Sequence, residues 1–343
     1  MPSFRRPAGP AITLVAALLT TTALTACSSD SNDRLTIYSG RTQDLIGPLL
    51  DDFSDETGTQ IDVRYGDSAE MALLIEEEGD QSPADVFLSQ SPGAVGYLDE
   101  LERFEELPDD ILDMVEPRFR ADDRGWVGIS GRVRTLVYNT DEVPESDLPA
   151  SVFDLTDPLY AREVGVAPSN GSFQDFVTTM REQLGDEQTS DWLNGMADNG
   201  AQTYPDNVSI VDAVARGEIK YGLVNHYYNE QLLAEDPDAP SRNYFFPDGD
   251  VGSLLLVTAA SVLNTAGDQT ENAEDLIEFL LSDEAQEYYA EQTLEYPLRP
   301  GVAIPDTLPP LDSLDVDTID LSTLGSGLIE TRELIADSGL EQA

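Results

Sequence analysis

The chain has 343 residues, which at roughly 150 residues per domain suggests two domains and leaves ample length for a buried core. Its 67 acidic residues against 18 basic ones give a formal charge of -49, and Lys220 is the only lysine, so a protein that grips nucleic acid or another polyanion is excluded. A single cysteine rules out internal disulfides and cysteine-built metal clusters, and a single histidine, His226, argues against the commonest zinc, copper and serine-hydrolase sites.

Residues 1–26 open with Arg5 and Arg6, continue into an apolar stretch over 11–26 and hold no acidic residue, which is the layout of a secretory signal. They end in Leu24-Thr25-Ala26-Cys27, which resembles the bacterial lipobox, whose cysteine becomes the lipid-modified first residue of the mature protein. Cys27 is therefore the expected lipidation site. Residues 27–33 read as a polar tether at the extracytoplasmic face of the cell membrane, and the lipid is the only membrane contact expected.

From Leu35 short apolar strands alternate with helical stretches, the pattern of an α/β fold. Leu35-Thr36-Ile37-Tyr38 reads as a strand; Leu45, Ile46, Leu49, Leu50 and Phe53 fall on one helical face; Gln60-Ile61-Asp62-Val63 reads as a second strand. A helix over 70–78 and a strand Ala84-Asp85-Val86-Phe87-Leu88 complete two βαβ units. Their strand-end turns, Ser39-Gly40-Arg41-Thr42 and Ser89-Gln90-Ser91, should share the edge where open sheets bind ligands. Two extended regions, one over 126–138 and one made of Tyr244-Phe245-Phe246 followed by Ser253-Leu254-Leu255-Leu256-Val257, read as passages between lobes and enclose a strand near 163–166, a helix from Phe173 and a strand over 219–224. The expectation is a two-lobed α/β clamshell, each lobe a mixed sheet flanked by helices. One lobe comprises 34–129 and 248–300, the other 130–247 and 301–343.

The most informative stretch is Asn225-His226-Tyr227-Tyr228, where an apolar strand ends and a helix begins. At such a turn both phenols can aim into a cleft, and phenolate is a hard oxygen donor suited to Fe(III). Taken alone, a Tyr-Tyr pair also serves as packing, which is the reading given to Tyr288-Tyr289 inside a helical pattern. Ser169-Asn170-Gly171-Ser172, just before the helix from Phe173, offers either an ordinary N-cap turn or an anion site of hydroxyl, amide and free N–H donors.

In chain order, Leu35-Thr36-Ile37-Tyr38-Ser39-Gly40, Ser82-Pro83-Ala84-Asp85-Val86-Phe87, Ser130-Gly131-Arg132-Val133-Arg134 with Val137-Tyr138, Asn225-His226-Tyr227-Tyr228 and Glu295-Tyr296-Pro297-Leu298-Arg299 together resemble the ferric-ion-binding proteins of bacterial iron(III) ABC importers. The resemblance spans nearly the whole mature chain. It implies a transferrin-like, class II periplasmic-binding-protein fold, with Tyr227 and Tyr228 as iron ligands and an ABC permease and its ATPase as partners. Asn207 and Asn225 match anion contacts of the family, although Asn207 could instead cap a helix over 208–215, and Arg132 or Arg134 could add a guanidinium near the hinge. Asn170, Gly171, Ser172, Asn207, Asn225 and Arg132 thus form the expected site for a synergistic anion, phosphate or carbonate. His226 is read as support or packing rather than a ligand.

The chain also departs from the family. Thr42 and Gln43 stand where members supply His or His-Tyr, Gln90 where some supply Glu, and Phe173 where others supply a third Tyr. Arg41, Thr42, Gln90 and Phe173 are kept as cleft candidates. The reading is a monomeric, lipid-anchored solute-binding protein for Fe(III), not an enzyme. The alternatives are the same fold and role with an anionic organic molecule or phosphonate and, remotely, an extracellular hydrolase built on two carboxylates.

Overall fold

A computed structural model of the chain describes residues 34–316, 324 and 327–340. The signal segment, Cys27 and the tether lie outside the described residues. Among those described, no helix is long and apolar enough to cross a membrane.

The strands are β1 (Arg34–Ser39), β2 (Gln60–Tyr65), β3 (Val86–Ser89), β4 (Val127–Asn139), β5 (Val164–Val166), β6 (Gln202–Thr203), β7 (Tyr221–Asn225), β8 (Ser241–Tyr244), β9 (Leu255–Val262) and β10 (Tyr296–Pro297). Their order is β2-β1-β3-β9-β4-β7-β5-β6, with β8 and β10 also paired to β4. β1 lies parallel to both β2 and β3, so the two βαβ units form as the sequence suggests. The first crossover helix, Gln43–Thr57, buries Leu45, Ile46, Leu49, Leu50 and Phe53, the stripe set by their spacing. It stops at Gly58, whose φ of 79° only glycine adopts without strain and whose N–H closes onto the Ser54 carbonyl. The second, Ser68–Glu78, starts from Asp67, whose carboxylate accepts the Ala69 and Glu70 N–H groups.

β4 organises the molecule. Residues Val127–Val133 pair with β9, and Arg134–Tyr138 pair with β7, so one thirteen-residue buried strand belongs to two sheets in succession. Ser130, Arg132 and Arg134 recur at every second position, so they share one face of β4. The second pair of expected extended runs corresponds to β8, which ends at Tyr244, and β9, which begins at Leu255, with a 3₁₀ turn over Val251–Ser253 between them. Asp248 and Gly249, at φ 59° and 67°, bend the chain there.

Two main cores result. One gathers the helix Gln43–Thr57, β1, β3, β9 and the helix Thr270–Leu280; the other gathers β5, β7 and the helices Gly171–Leu184 and Asp186–Asp198. This is the two-lobed α/β arrangement. Among the described residues of the tail, Leu308 and Leu324 pack into the first core, Ile335 and Leu340 into the second. Its apolar residues are too sparsely spaced for the sequence to say which core they meet.

Candidate functional site

β7 runs directly into the helix His226–Glu235, with Asn225 as the extended N-cap residue. This junction makes His226, Tyr227 and Tyr228 the first three residues of the helix. Tyr227 is fully buried and Tyr228 partly exposed, with ring centroids 4.2 Å apart. The Tyr227 hydroxyl makes no hydrogen bond of ordinary geometry. Burial pushes its pKa well above the usual phenol value, with the Tyr228 and Glu295 charges adding and Arg132 opposing; Tyr228 is also raised, chiefly by burial. Both phenols therefore hold their protons near neutral pH, and a cation binding through them would have to displace those protons.

The His226 ring stacks on Tyr296 at 4.8 Å, and its Nδ1 accepts the Val133 N–H at 3.2 Å. Burial lowers its pKa to about 4. A ring nitrogen committed to the backbone suits support of the hinge strand. Tyr289 belongs to the first core, with the Arg41 guanidinium over its ring at 5.6 Å; its hydroxyl too lacks a partner.

The anion candidates form one chain of contacts. Asn170 caps the helix Gly171–Leu184 through its Oδ1, which accepts the Ser172 N–H at 3.1 Å. Ser172 Oγ accepts from Arg132 Nε at 3.3 Å and from Asn225 Nδ2 at 3.1 Å. Asn225 Oδ1 accepts from Arg134 Nη1 at 3.3 Å, and the Asn225 N–H donates to Asn207 Oδ1 at 3.3 Å. Arg132 Nη2 donates to the Gln90 carbonyl, which ties the turn after β3 into the group. Two buried donors, Asn207 Nδ2 and Gln90 Nε2, have no partner. Asn207 is the first residue of its helix, Asn207–Ala215, and Asp206 does the capping, so the Asn207 side chain is left for the interior.

The electrostatics are lopsided. Arg132 and Arg134 are buried, and burial lowers both pKa values, that of Arg134 to about 9 with Arg132 beside it adding to the effect. Asp175 lies 3.9 Å from Arg132, and burial pushes its own pKa up to about 7. Three buried guanidiniums, those of Arg41, Arg132 and Arg134, thus share two buried carboxyls, Glu295 and an Asp175 that titrates near neutrality, an arrangement an anion would complete.

Not every cleft candidate joins this group. Arg41 is held by Glu295 in a fully buried bidentate pair at 3.0 and 2.6 Å. Phe173 packs against Phe176 and Trp192 in the second core, at 5.9 and 6.4 Å between centroids, so it is a core residue and not a cleft residue. Thr42 is exposed at the start of the helix Gln43–Thr57. Gln90 is the one that reaches the anion group. The sequence reading missed Asp175 and the Arg41–Glu295 pair, since among 67 acidic residues nothing local marks two as buried. Among the described residues, no group of three or more His, Cys, Asp or Glu side chains could hold a metal ion.

Residues 81–315 match the family described as bacterial extracellular solute-binding protein. The major ferric iron-binding protein of Neisseria meningitidis serogroup A is 30% identical over 325 residues, covering 93% of this chain and 96% of that one. The Fe(3+)-binding periplasmic protein of Serratia marcescens is 29% identical, with 97% of each chain covered. The crystal structure of iron-bound HitA from Pseudomonas aeruginosa superposes with a TM-score of 0.85 at 33% identity, covering 89% of this chain and 99% of HitA. These are solute-binding transport proteins and not enzymes, which removes the hydrolase alternative. The chain belongs to the bacterial extracellular solute-binding proteins, in the group that contains the ferric-ion-binding proteins of iron importers.

Proposed function

We propose that this chain captures Fe(III) outside the cytoplasm through Tyr227 and Tyr228, together with an anion at Asn170, Gly171, Ser172, Asn207, Asn225 and Arg132, and presents it to an ABC permease. The observation that carries this reading is the buried, unpartnered Tyr227 phenol beside Tyr228, close to two buried guanidiniums whose pKa values burial lowers. Two phenolates leave most positions around Fe(III) open. Phosphate or carbonate would fill some of them and at the same time neutralise Arg132 and Arg134. Lipidation at Cys27, a monomeric state and lobes divided near residues 130 and 248 complete the proposal.

The test is a ferric titration of the purified chain with and without phosphate or carbonate, following the visible tyrosinate-to-iron band. The band should strengthen with the anion and disappear in Tyr227→Phe and Tyr228→Phe. A chain with no band under any anion sinks the ferric reading. The excess of buried positive charge would then favour an anionic organic molecule or phosphonate, measured by calorimetry on the metal-free chain.

A further inference from the structure

Asp175 makes a contact that the proposed ligand set does not use. It sits one turn into the helix Gly171–Leu184, whose Phe173, Phe176, Val177 and Met180 belong to the second core. Its Oδ1 accepts from Ser91 Oγ at 2.6 Å and from the Gly93 N–H at 3.2 Å. Those two residues open the helix Pro92–Glu100, whose Ala94, Val95 and Leu98 belong to the first core. The carboxyl is 1% exposed, and its Oδ2 has no hydrogen-bond partner but lies 3.9 Å from Arg132 Nη2. A Cβ at Gly93 would come within 2.9 Å of Asp175 Oδ1 and 3.3 Å of the Leu324 carbonyl, so this approach depends on glycine. A buried carboxylate is a costly way to join two helices where an apolar side chain would pack, which points to a task other than stability.

We infer that Asp175 is a positioning residue that latches the helix Pro92–Glu100 onto the helix Gly171–Leu184 and so holds the Gln90 turn, Arg132 and Ser172 around the bound ligand. The inference rests on the site reading given above. Geometrically, Asp175 contacts Ser91, Arg132 donates to the carbonyl of the adjoining Gln90, and the same guanidinium reaches Ser172, three residues before Asp175. The ring of contacts closes across the two cores. It shuts only when both helix starts are in place.

The charged groups facing Asp175 are Arg132 and Arg134 from β4 and Asp67 at the start of the helix Ser68–Glu78. Burial raises the Asp175 pKa to about 7, while the Ser91 hydrogen bond, Arg132 and the Gly93 N–H pull it down and Asp67 pushes it up. A proton on Oδ2 leaves Oδ1 free to accept from Ser91 and Gly93 but removes the attraction to Arg132. Acidification should therefore loosen Arg132 without undoing the hydrogen bonds of the latch.

The experiment loads the full chain with Fe(III) and phosphate and follows loss of the tyrosinate band under a competing chelator, from about pH 5 to about pH 8. Asp175→Ala and Ser91→Ala should release iron about ten- to a hundredfold faster with the band position unchanged. Asp175→Asn should flatten the pH dependence that the unaltered chain has around neutrality. If Asp175→Ala does not fold, Ser91→Ala and Gly93→Ala carry the test. Release at the unaltered rate with the unaltered pH profile in all of them overturns the latch. Should the unaltered chain give no band at all, the ferric reading has failed on its own. Small-angle scattering then decides the latch: a larger radius of gyration in Asp175→Ala supports it, and an equal radius overturns it.

Discussion

Arg41 and Arg132 donate to the same hydroxyl, Thr258 Oγ1, at 2.8 and 3.5 Å, yet they stand in opposite electrostatic states. Arg41 is clamped by both oxygens of Glu295; burial alone would lower its pKa, but that carboxylate raises it. Arg132 has no such partner, and burial lowers its pKa despite the nearby Tyr227 and Asp175. The difference separates two uses of a buried cation a few ångströms apart. A charge neutralised inside the protein braces the junction of β4, β9 and β10, whereas one left short of a counter-charge is, on the proposed function, the one that meets a ligand.

The largest effect should come from breaking the neutralised pair. Glu295→Gln strands Arg41 in the interior and should cost about 3–5 kcal/mol in urea unfolding, because it leaves a buried charge uncompensated. A double replacement, Arg41→Met with Glu295→Leu, should recover most of that loss. If the single variant is nearly as stable as the unaltered chain, the contrast between the two arginines fails.

The counterpart variant is Arg132→Met. Metal-free stability should fall by about 1–3 kcal/mol, less than in Glu295→Gln, since Arg132 gives up hydrogen bonds to Ser172 and the Gln90 carbonyl but no closely paired carboxylate. The gain in ferric affinity on adding phosphate should fall by about ten- to a hundredfold, read from competition titrations with and without the anion. An undiminished anion effect would place the anion elsewhere.

The pH dependence sharpens the comparison. Burial by itself would raise Glu295, but Arg41 and the Thr293 hydroxyl lower it overall, so its contribution to stability is present above its unfolded value and is lost as pH falls. Asp175, raised to about 7, behaves oppositely: its contribution is full below the unfolded value and is lost as pH rises through about 7. Unfolding midpoints of Asp175→Asn should therefore lack the decline that runs from the ordinary carboxyl value of 3.8 up to about 7 and keep the one at lower pH. The smallest effect is expected from Asn207→Ala. Its Nδ2 is unpartnered and only Oδ1 is engaged, with the Asn225 N–H, so stability should drop by about 1 kcal/mol. Ferric affinity should change only when the anion is present.

Much of this was legible in the residues. Spacing alone marked the face of the helix Gln43–Thr57, the βαβ pairing of β1 with its neighbours and the junction of β7 with the helix that carries Tyr227 and Tyr228. The extended character of β4 was legible too, although its division between two sheets was visible only as a run without a helix before it. The turn before β9 was less so, because Phe245 and Phe246 have the composition of a strand while Asp248 and Gly249 bend the chain away. Phe173 was not legible for a related reason: an aromatic at a helix start suits a cleft or a core, and only the fold shows its contacts with Phe176 and Trp192.

By itself the sequence determined the α/β class and the tyrosine pair at a strand-to-helix junction, because these follow from local periodicity and composition. Only the tertiary structure decided which charges meet. Glu295 is 254 residues from Arg41 and Asp175 is 84 from Ser91. Contacts over such separations depend on how two cores are set against a shared strand, and in a chain with 67 acidic residues no local pattern singles out the two that are buried among the arginines.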